Sequence, residues 1–143
     1  MARVRYMPDV EELFVTLTER GMSQVAIATK PDVDVAERLP YIVIVAGNGN
    51  RLEADEACRV WNFTVHFMIV AAGDVQCSDL ADELYELVWS WGNPWNSSGT
   101  IAGVGAITEV EDISTPARTA TTVSPAGDLT QYDATFSINV RNA

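Results

Sequence analysis

The chain is poor in histidine, cysteine and basic residues. Its 143 residues include one His, two Cys and nine Lys or Arg, against 20 Asp or Glu, for a formal net charge of −11. Binding to nucleic-acid phosphates or to anionic lipid needs Lys and Arg, so this balance argues against both. It suits a solvated surface, or the wall of a passage through which a polyanion slides without sticking.

Long apolar runs are absent as well. No stretch reaches the roughly 18 apolar residues of a membrane span, and no apolar run follows residues 1–6 as it would in a signal peptide. We therefore expect synthesis in a reducing cytoplasm and no membrane partner. Cys58 and Cys77 lie near opposite ends of a predicted strand of about a dozen residues, which spans roughly 40 Å, so we expect no disulfide.

Residues with the chemistry of an active site are few. The single histidine, His66, stands between Val65 and Phe67, and we interpret it as structural. The glycines of Gly47-Asn48-Gly49-Asn50 lack the Gly-Lys-Ser/Thr ending of a phosphate loop. Asp32-Val33-Asp34 lacks the glycine and closing glutamate of a calcium loop. We predict no catalytic residue, no cofactor and no metal site, and we do not expect an enzyme.

The stretch 59–91 combines the two strongest periodicities. Residues 59–70 alternate as a long strand does, and residues 78–91 carry a helical stripe. The apolar positions of the strand are Trp61, Phe63, Val65, Phe67 and Ile69, and those of the helix are Leu80, Leu84, Leu87, Val88 and Trp91. One apolar sheet face followed by one apolar helix stripe predicts that the helix covers the sheet.

The other predicted elements extend this unit. They are a helix at 8–20, ended by Gly21, and strands at 24–29, 41–46, 105–113, 118–123 and 131–141. The strand 41–46 is apolar on both faces, which predicts cover on both sides. Pro116 separates two of the strands. Residues 47–51 turn the chain into a loop that projects up to residue 56, and a second long loop covers 92–103.

The last strand alternates most regularly. Tyr132, Ala134, Phe136, Ile138 and Val140 share one face, and Asp133, Thr135, Ser137, Asn139 and Arg141 share the other. One face is therefore buried, and the other meets water or another subunit. Taken together, residues 1–143 are expected to form one α+β domain, a mainly antiparallel β-sheet with two α-helices packed on it.

This order of elements carries a resemblance. It includes the strand and turn Tyr41-Ile42-Val43-Ile44-Val45-Ala46-Gly47-Asn48-Gly49, the turn Ala72-Gly73-Asp74, the helix around Leu80-Ala81, and an alternating last strand that ends in Val140-Arg141. The chain resembles the tail terminator proteins of long-tailed, non-contractile bacteriophages, particularly those of actinobacterial hosts. It departs from their pattern in the polar segment 30–39 and in the cluster Trp89, Trp91 and Trp95.

The resemblance implies a structural virion protein that forms a homo-oligomeric ring, a hexamer in that family, on the head-proximal end of the tail tube. Such a ring stops polymerisation of the tail tube protein and docks the head–tail connector or head completion protein. DNA passes through its lumen without specific binding. Two alternatives stay open: a head-completion, neck or minor tail protein, and a small cytoplasmic enzyme that uses His66 with an Asp or Glu.

Candidate assembly contacts come from the two loops and from the polar face of the last strand. Trp95 is either a plug on the core or a contact for a partner. The candidates are Asn48, Asn50, Arg51 and Glu53 in the first loop, Trp95 in the second, and Asp133, Thr135, Asn139 and Arg141 on the last strand.

Overall fold

One β-sheet with helices on one face organises the chain. A computed structural model describes residues 9–30, 38–47, 49–51, 60–93, 98–122 and 129–142. In these ranges the helices are α1 (Val10–Gly21) and α2 (Asp74–Trp91). The strands are β1 (Ala26–Ala28), β2 (Tyr41–Ala46), β3 (Asn50–Arg51), β4 (Val60–Ala72), β5 (Thr100–Ile101), β6 (Gly105–Thr122) and β7 (Leu129–Arg141).

The strands lie in the order β1-β2-β4-β7-β6-β5, and β3 also pairs with β4. Among hydrogen-bonded neighbours, only β1 and β2 pair in parallel, and every other described pairing is antiparallel. Since β7 is antiparallel to both β4 and β6, these two run parallel to each other, and α2 makes the crossover between them. The predicted α+β class with a mainly antiparallel sheet is confirmed.

The core lies between the helices and one face of the sheet, as predicted. The helix α1 covers β1 and β2, while α2 covers β4, β7 and β6. The predicted apolar positions of β4 and of β7 are buried there, apart from the half-buried Tyr132. Phe67 and Phe136 meet edge to face across the β4–β7 pair, with ring centroids 5.6 Å apart. Phe14 of α1 stacks on Trp91 of α2 at 6.4 Å, so the two helices share one core.

The helix α2 begins four residues earlier than predicted, at Asp74 rather than 78. Gly73, with φ of 103°, ends β4 and redirects the chain, and its carbonyl accepts from the N–H of Cys77. Asp74 then sits favourably at the positive end of the helix dipole. A glycine followed by an acidic residue, as in Gly73-Asp74, therefore indicates the start of a helix here as well as a turn.

The helix α1 begins at Val10, and Asp9 caps it by accepting a hydrogen bond of 3.2 Å from the N–H of Glu12. The helix ends at Gly21, one residue beyond the predicted end, in agreement with the prediction that this glycine ends it. A Cβ atom at Gly21 would collide with the Cδ1 of Leu87, so a larger residue here would require the Leu87 side chain to shift.

The two predicted strands around Pro116 are one continuous strand, β6, so the predicted break is wrong. The pairing of β6 with β7 shifts register between Ser114 and Ala117, and Pro116 falls within that irregularity. A bulged residue needs no ladder N–H, so proline is tolerated there. The shifts also explain why Ile113, an even number of residues from the buried Ile107 in the same strand, is 60% exposed.

The predicted turn at 47–51 is also wrong. The N–H of Gly47 donates to the carbonyl of Thr64, and Asn50 and Arg51 pair with Asn62 and Trp61, so β3 continues along β4 where β2 leaves off. The strand predicted at 24–29 is reduced to Ala26–Ala28.

The expectation that β2 is covered on both sides holds for only part of its length. Ile42 and Ile44 are buried against the helices, and Val43 is buried on the opposite face. Val45 is 49% exposed. The cover on that side therefore ends before the strand does.

Cys77 lies in the first turn of α2, not before the helix as predicted. It is buried and free, and its Sγ lies 3.3 Å from the carbonyl oxygen of Ile69 and 3.2 Å from that of Thr130. Burial raises the pKa of the Cys77 thiol above its ordinary value of 9.0. Cys58 lies outside the described residues.

Replacing Phe136 by Ala should remove the contact that joins β4, β7 and α2. Phe136 is fully buried and lies 5.9 Å from the Tyr85 ring as well as against Phe67. We expect the free energy of unfolding, measured by urea titration, to fall by about 3–5 kcal/mol. Ile113→Ala, at an exposed position of β6, is the control and should change it by less than about 0.5 kcal/mol. Equal losses in both variants would contradict this core.

The burial of the Cys77 thiol predicts slow labelling. In the Cys58→Ser variant, Cys77 should react with iodoacetamide at the rate of global unfolding rather than at that of an exposed thiol. Rapid labelling under native conditions at neutral pH would contradict the burial.

The raised pKa of Cys77 predicts that the free energy of unfolding depends on pH. Because the folded-state pKa is raised, the stability that Cys77 contributes is complete below the unfolded value near 9.0 and is lost as the pH rises above it.

Candidate functional site

The sheet face opposite the helices carries an ordered polar surface, which we call the open face. Because directly paired residues of antiparallel strands point to the same side, the register aligns side chains in rows across the sheet. One such row, the asparagine row, consists of Asn50 on β3, Asn62 on β4, Asn139 on β7 and Glu109 on β6.

Hydrogen bonds connect most of this row. The Nδ2 of Asn62 donates to Oδ1 of Asn139 at 2.8 Å and to Oγ of Ser137 at 2.6 Å. The Nδ2 of Asn139 donates in turn to Oε2 of Glu109 at 3.2 Å. Asn62, Ser137 and Asn139 are all half-buried. Their amides are therefore held in fixed orientations instead of moving freely in solvent.

A shallow recess of about 160 Å³ lies over this network. Its lining residues offer amide, hydroxyl and carboxylate groups, and they are Asn62, Glu109, Glu111, Ser137 and Asn139. Such a recess can exchange hydrogen bonds with a polar partner, and its two carboxylates favour a cationic group over an anionic one.

Further along the same face, His66 lies beside two predicted contact residues. His66 pairs directly with Thr135, and its Nδ1 lies 3.1 Å from the Thr135 Oγ1. Its Nε2 lies 3.8 Å from Oδ1 of Asp133, which also accepts a hydrogen bond of 3.1 Å from Gln131. The sequence alone predicts a structural His66 and does not reveal this cluster, because cross-strand register is not visible along one strand.

The cluster has the residue types of a nucleophile, a base and an orienting carboxylate. Thr135 and His66 are within hydrogen-bond distance, but Asp133 is 3.8 Å from the ring, beyond such a bond. The imidazole is 44% exposed and the site lies on a sheet surface. The arrangement can therefore serve to hold three polar side chains in place on the sheet surface as readily as it can serve catalysis.

The predicted contact residues fall into three groups. Asp133, Thr135 and Asn139 lie together on the open face, as predicted from their alternation. Arg141 is exposed at the end of β7, where its Nη1 donates to the carbonyl oxygen of Asn142 at 3.0 Å, and Asn50 is exposed on β3.

For Arg51, the structure describes only the backbone, which pairs with Trp61. The predicted contacts Asn48, Glu53 and Trp95 lie outside the described residues. The open face thus brings together the predicted contacts of the last strand, and it adds Asn62, Glu109 and His66.

Neither described helix combines the length and the apolarity that a membrane crossing requires. Within the same ranges, no group of three or more His, Cys, Asp or Glu side chains is placed to hold a metal ion. No model of a known protein family matches the chain, and no curated protein matches it either.

The asparagine row yields a prediction about coupling. In a double-mutant cycle of Asn62→Ala with Asn139→Ala, we expect the free energy of unfolding to reveal a coupling of about 0.5–1.5 kcal/mol, because the two amides share a hydrogen bond. Asn62→Ala with Gln131→Ala is the control cycle. Gln131 pairs with Val70, far along the strand from Asn62, and should show no coupling. Zero coupling in the first cycle would mean that the row is not formed.

Proposed function

We propose that the chain is a tail terminator subunit of a long-tailed bacteriophage, which forms a ring on the head-proximal end of the tail tube. In this role it ends polymerisation of the tail tube protein and offers the docking surface for the head–tail connector. The resemblance of the sequence to that family is the starting point. The first helix, the long strand β4 followed by α2, and the alternating last strand support it, whereas the turn at 47–49 on which the resemblance also draws is not formed.

The observation that carries the proposal is the open face. A sheet covered by helices on one side and carrying a hydrogen-bonded polar network on the other has a surface suited to a protein contact. Interfaces that must form between pre-folded subunits use such fixed polar groups for register and specificity.

The charge of the chain supports the same role. Six copies at −11 each would give a ring with a formal charge of −66. A lumen in such a ring repels DNA from its wall, which favours passage over binding.

The tail tube protein provides the test. It should be polymerised alone and with this chain, and tube lengths should be measured by electron microscopy. We expect the chain to stop elongation and to shorten the mean tube length as its concentration rises. Tubes of unchanged length would contradict the terminator role. Binding to portal or adaptor rings in their place would favour the neck or head-completion alternative.

A substitution on the open face tests which surface acts. Thr64 is exposed there and pairs with Ser137, so Thr64→Arg should weaken ring formation and lengthen the tubes while leaving the fold intact. Gln76→Arg, at an exposed position on α2, introduces the same charge on the helical side and should cap tubes normally. Normal capping by both variants would remove the open face from the proposal.

The His66 cluster favours one second candidate, a small enzyme with Thr135 as nucleophile. Since Thr135 is within 3.1 Å of the imidazole, His66→Ala would abolish such an activity. If His66→Ala still caps tubes like the unmodified chain, the cluster is not needed for the terminator role.

A further inference from the structure

The outer edge of β6 is left largely uncovered by the described strands. On its inner side β6 pairs with β7 over nearly its whole length, but on its outer side β5 covers only Gly105 and Ala106, and the N–H of Ile107 donates to Gly99. Beyond Ile107 no described strand pairs with this edge. An uncovered strand edge presents backbone donors and acceptors to an incoming strand.

The usable part of this edge is short. Register shifts interrupt β6 between Ile107 and Glu109, and again between Asp112 and Ser114. Between them, Glu109–Asp112 keep regular pairing with β7. Bulges disfavour pairing elsewhere along the edge, so an incoming strand that pairs over about four residues is the length that fits.

The two sides of this edge differ in chemistry. Glu109 and Glu111 are two residues apart, both are exposed, and both line the recess on the open face. Within the described ranges the only ion pairs are His66–Asp133 and Arg118–Asp74, so neither glutamate has an ion-pair partner there. An incoming strand needs cationic side chains two residues apart on this side.

The other side of the edge, next to the helical layer, is aromatic. Tyr85 of α2 donates its hydroxyl to Asp112 of β6 at 3.4 Å, which places this flank of the helix beside the edge. Trp89, one turn further on, meets Tyr85 at 6.3 Å and is 39% exposed. Apolar side chains of an added strand would continue the core beneath these rings.

One segment of the chain has the required pattern. Residues 2–6, Ala2-Arg3-Val4-Arg5-Tyr6, alternate apolar and arginine side chains, with the two arginines two residues apart. As a strand, they would present Arg3 and Arg5 to one side and Ala2, Val4 and Tyr6 to the other. Cross-strand pairs of opposite charge stabilise a sheet, and the apolar side of this segment would lie next to the aromatic rings of α2.

We propose that residues 2–6 of one copy add as a strand to the outer edge of β6 in a second copy, with Arg3 and Arg5 facing Glu109 and Glu111. A second copy is favoured over the same chain because α1, which follows the segment, packs on β1 and β2 at the other side of the sheet. The donor segment and the acceptor edge are different surfaces, so the contact is head to tail, and such contacts generate rings when the rotation between copies closes. This inference rests on the proposed function only where it expects the linked copies to close into a ring.

Charge reversal combined with mixing tests this contact in solution, with the full chain and without tubes. The donor variant is Arg3→Glu/Arg5→Glu, and the acceptor variant is Glu109→Arg/Glu111→Arg. Association is measured by sedimentation velocity at low salt. Each variant alone places like charges together, and we expect its association to weaken about tenfold or more. A 1:1 mixture restores opposite charges at every contact between unlike variants, so association should return.

Matched controls separate the contact from net charge. Arg20→Glu/Lys30→Glu changes the charge as the donor variant does, and Glu83→Arg/Glu86→Arg changes it as the acceptor variant does, all at exposed positions. Both controls should associate like the unmodified chain. Because Glu109 also accepts from Asn139, the donor variant tests the contact without altering that network.

Four outcomes would overturn the proposal. They are a monomeric unmodified chain at every concentration, controls that weaken as much as the variants, single variants that associate normally, and a mixture that stays as weak as its components. The last would point to pairing within one chain. If association returns in the mixture but the unmodified chain does not cap tubes, this contact stands and the terminator role is rejected. If the chain caps tubes but association does not return in the mixture, the terminator role stands and this contact is rejected.

Discussion

The structure depends on the pairing of β4 with β7. All thirteen residues of β4 pair with β7 without a register shift, from Val60 opposite Arg141 to Ala72 opposite Leu129. This uninterrupted register fixes which side chains meet the helices and which meet the outside, because a slip of one residue would exchange the two faces. The aromatic core around Phe67 and Phe136 and the polar contacts of Asn62 with Asn139 are therefore two results of one alignment.

In the proposed function the two faces have different roles, one in stability and the other in assembly. Apolar burial against α1 and α2 holds the domain together, so the open face can keep polar groups that add little to stability. The edge strand β6 combines both roles, since Val110 packs in the core while Glu109 and Glu111 point to the open face.

Strong local periodicity made the fold predictable from sequence. The alternation of β4 and β7 and the helical stripe that ends at Trp91 determined the elements, their faces and the α+β class. The errors fall where tertiary contacts override local signals. Pro116 lies in a bulge of a continuous strand, and the glycines at 47 and 49 interrupt an edge rather than reversing the chain.

The candidate site was predicted in part, for a related reason. Alternation within β7 placed Asp133, Thr135 and Asn139 on one face. It did not reveal that Asn62, His66 and Glu109 join them, since those neighbours depend on register between strands far apart in sequence.

We propose that the chain closes a tail tube as a ring. Electron cryomicroscopy of tubes grown with the chain tests this proposal most directly. We expect a closed ring of copies at one end of each tube, and bare tube ends on both sides would contradict the proposal.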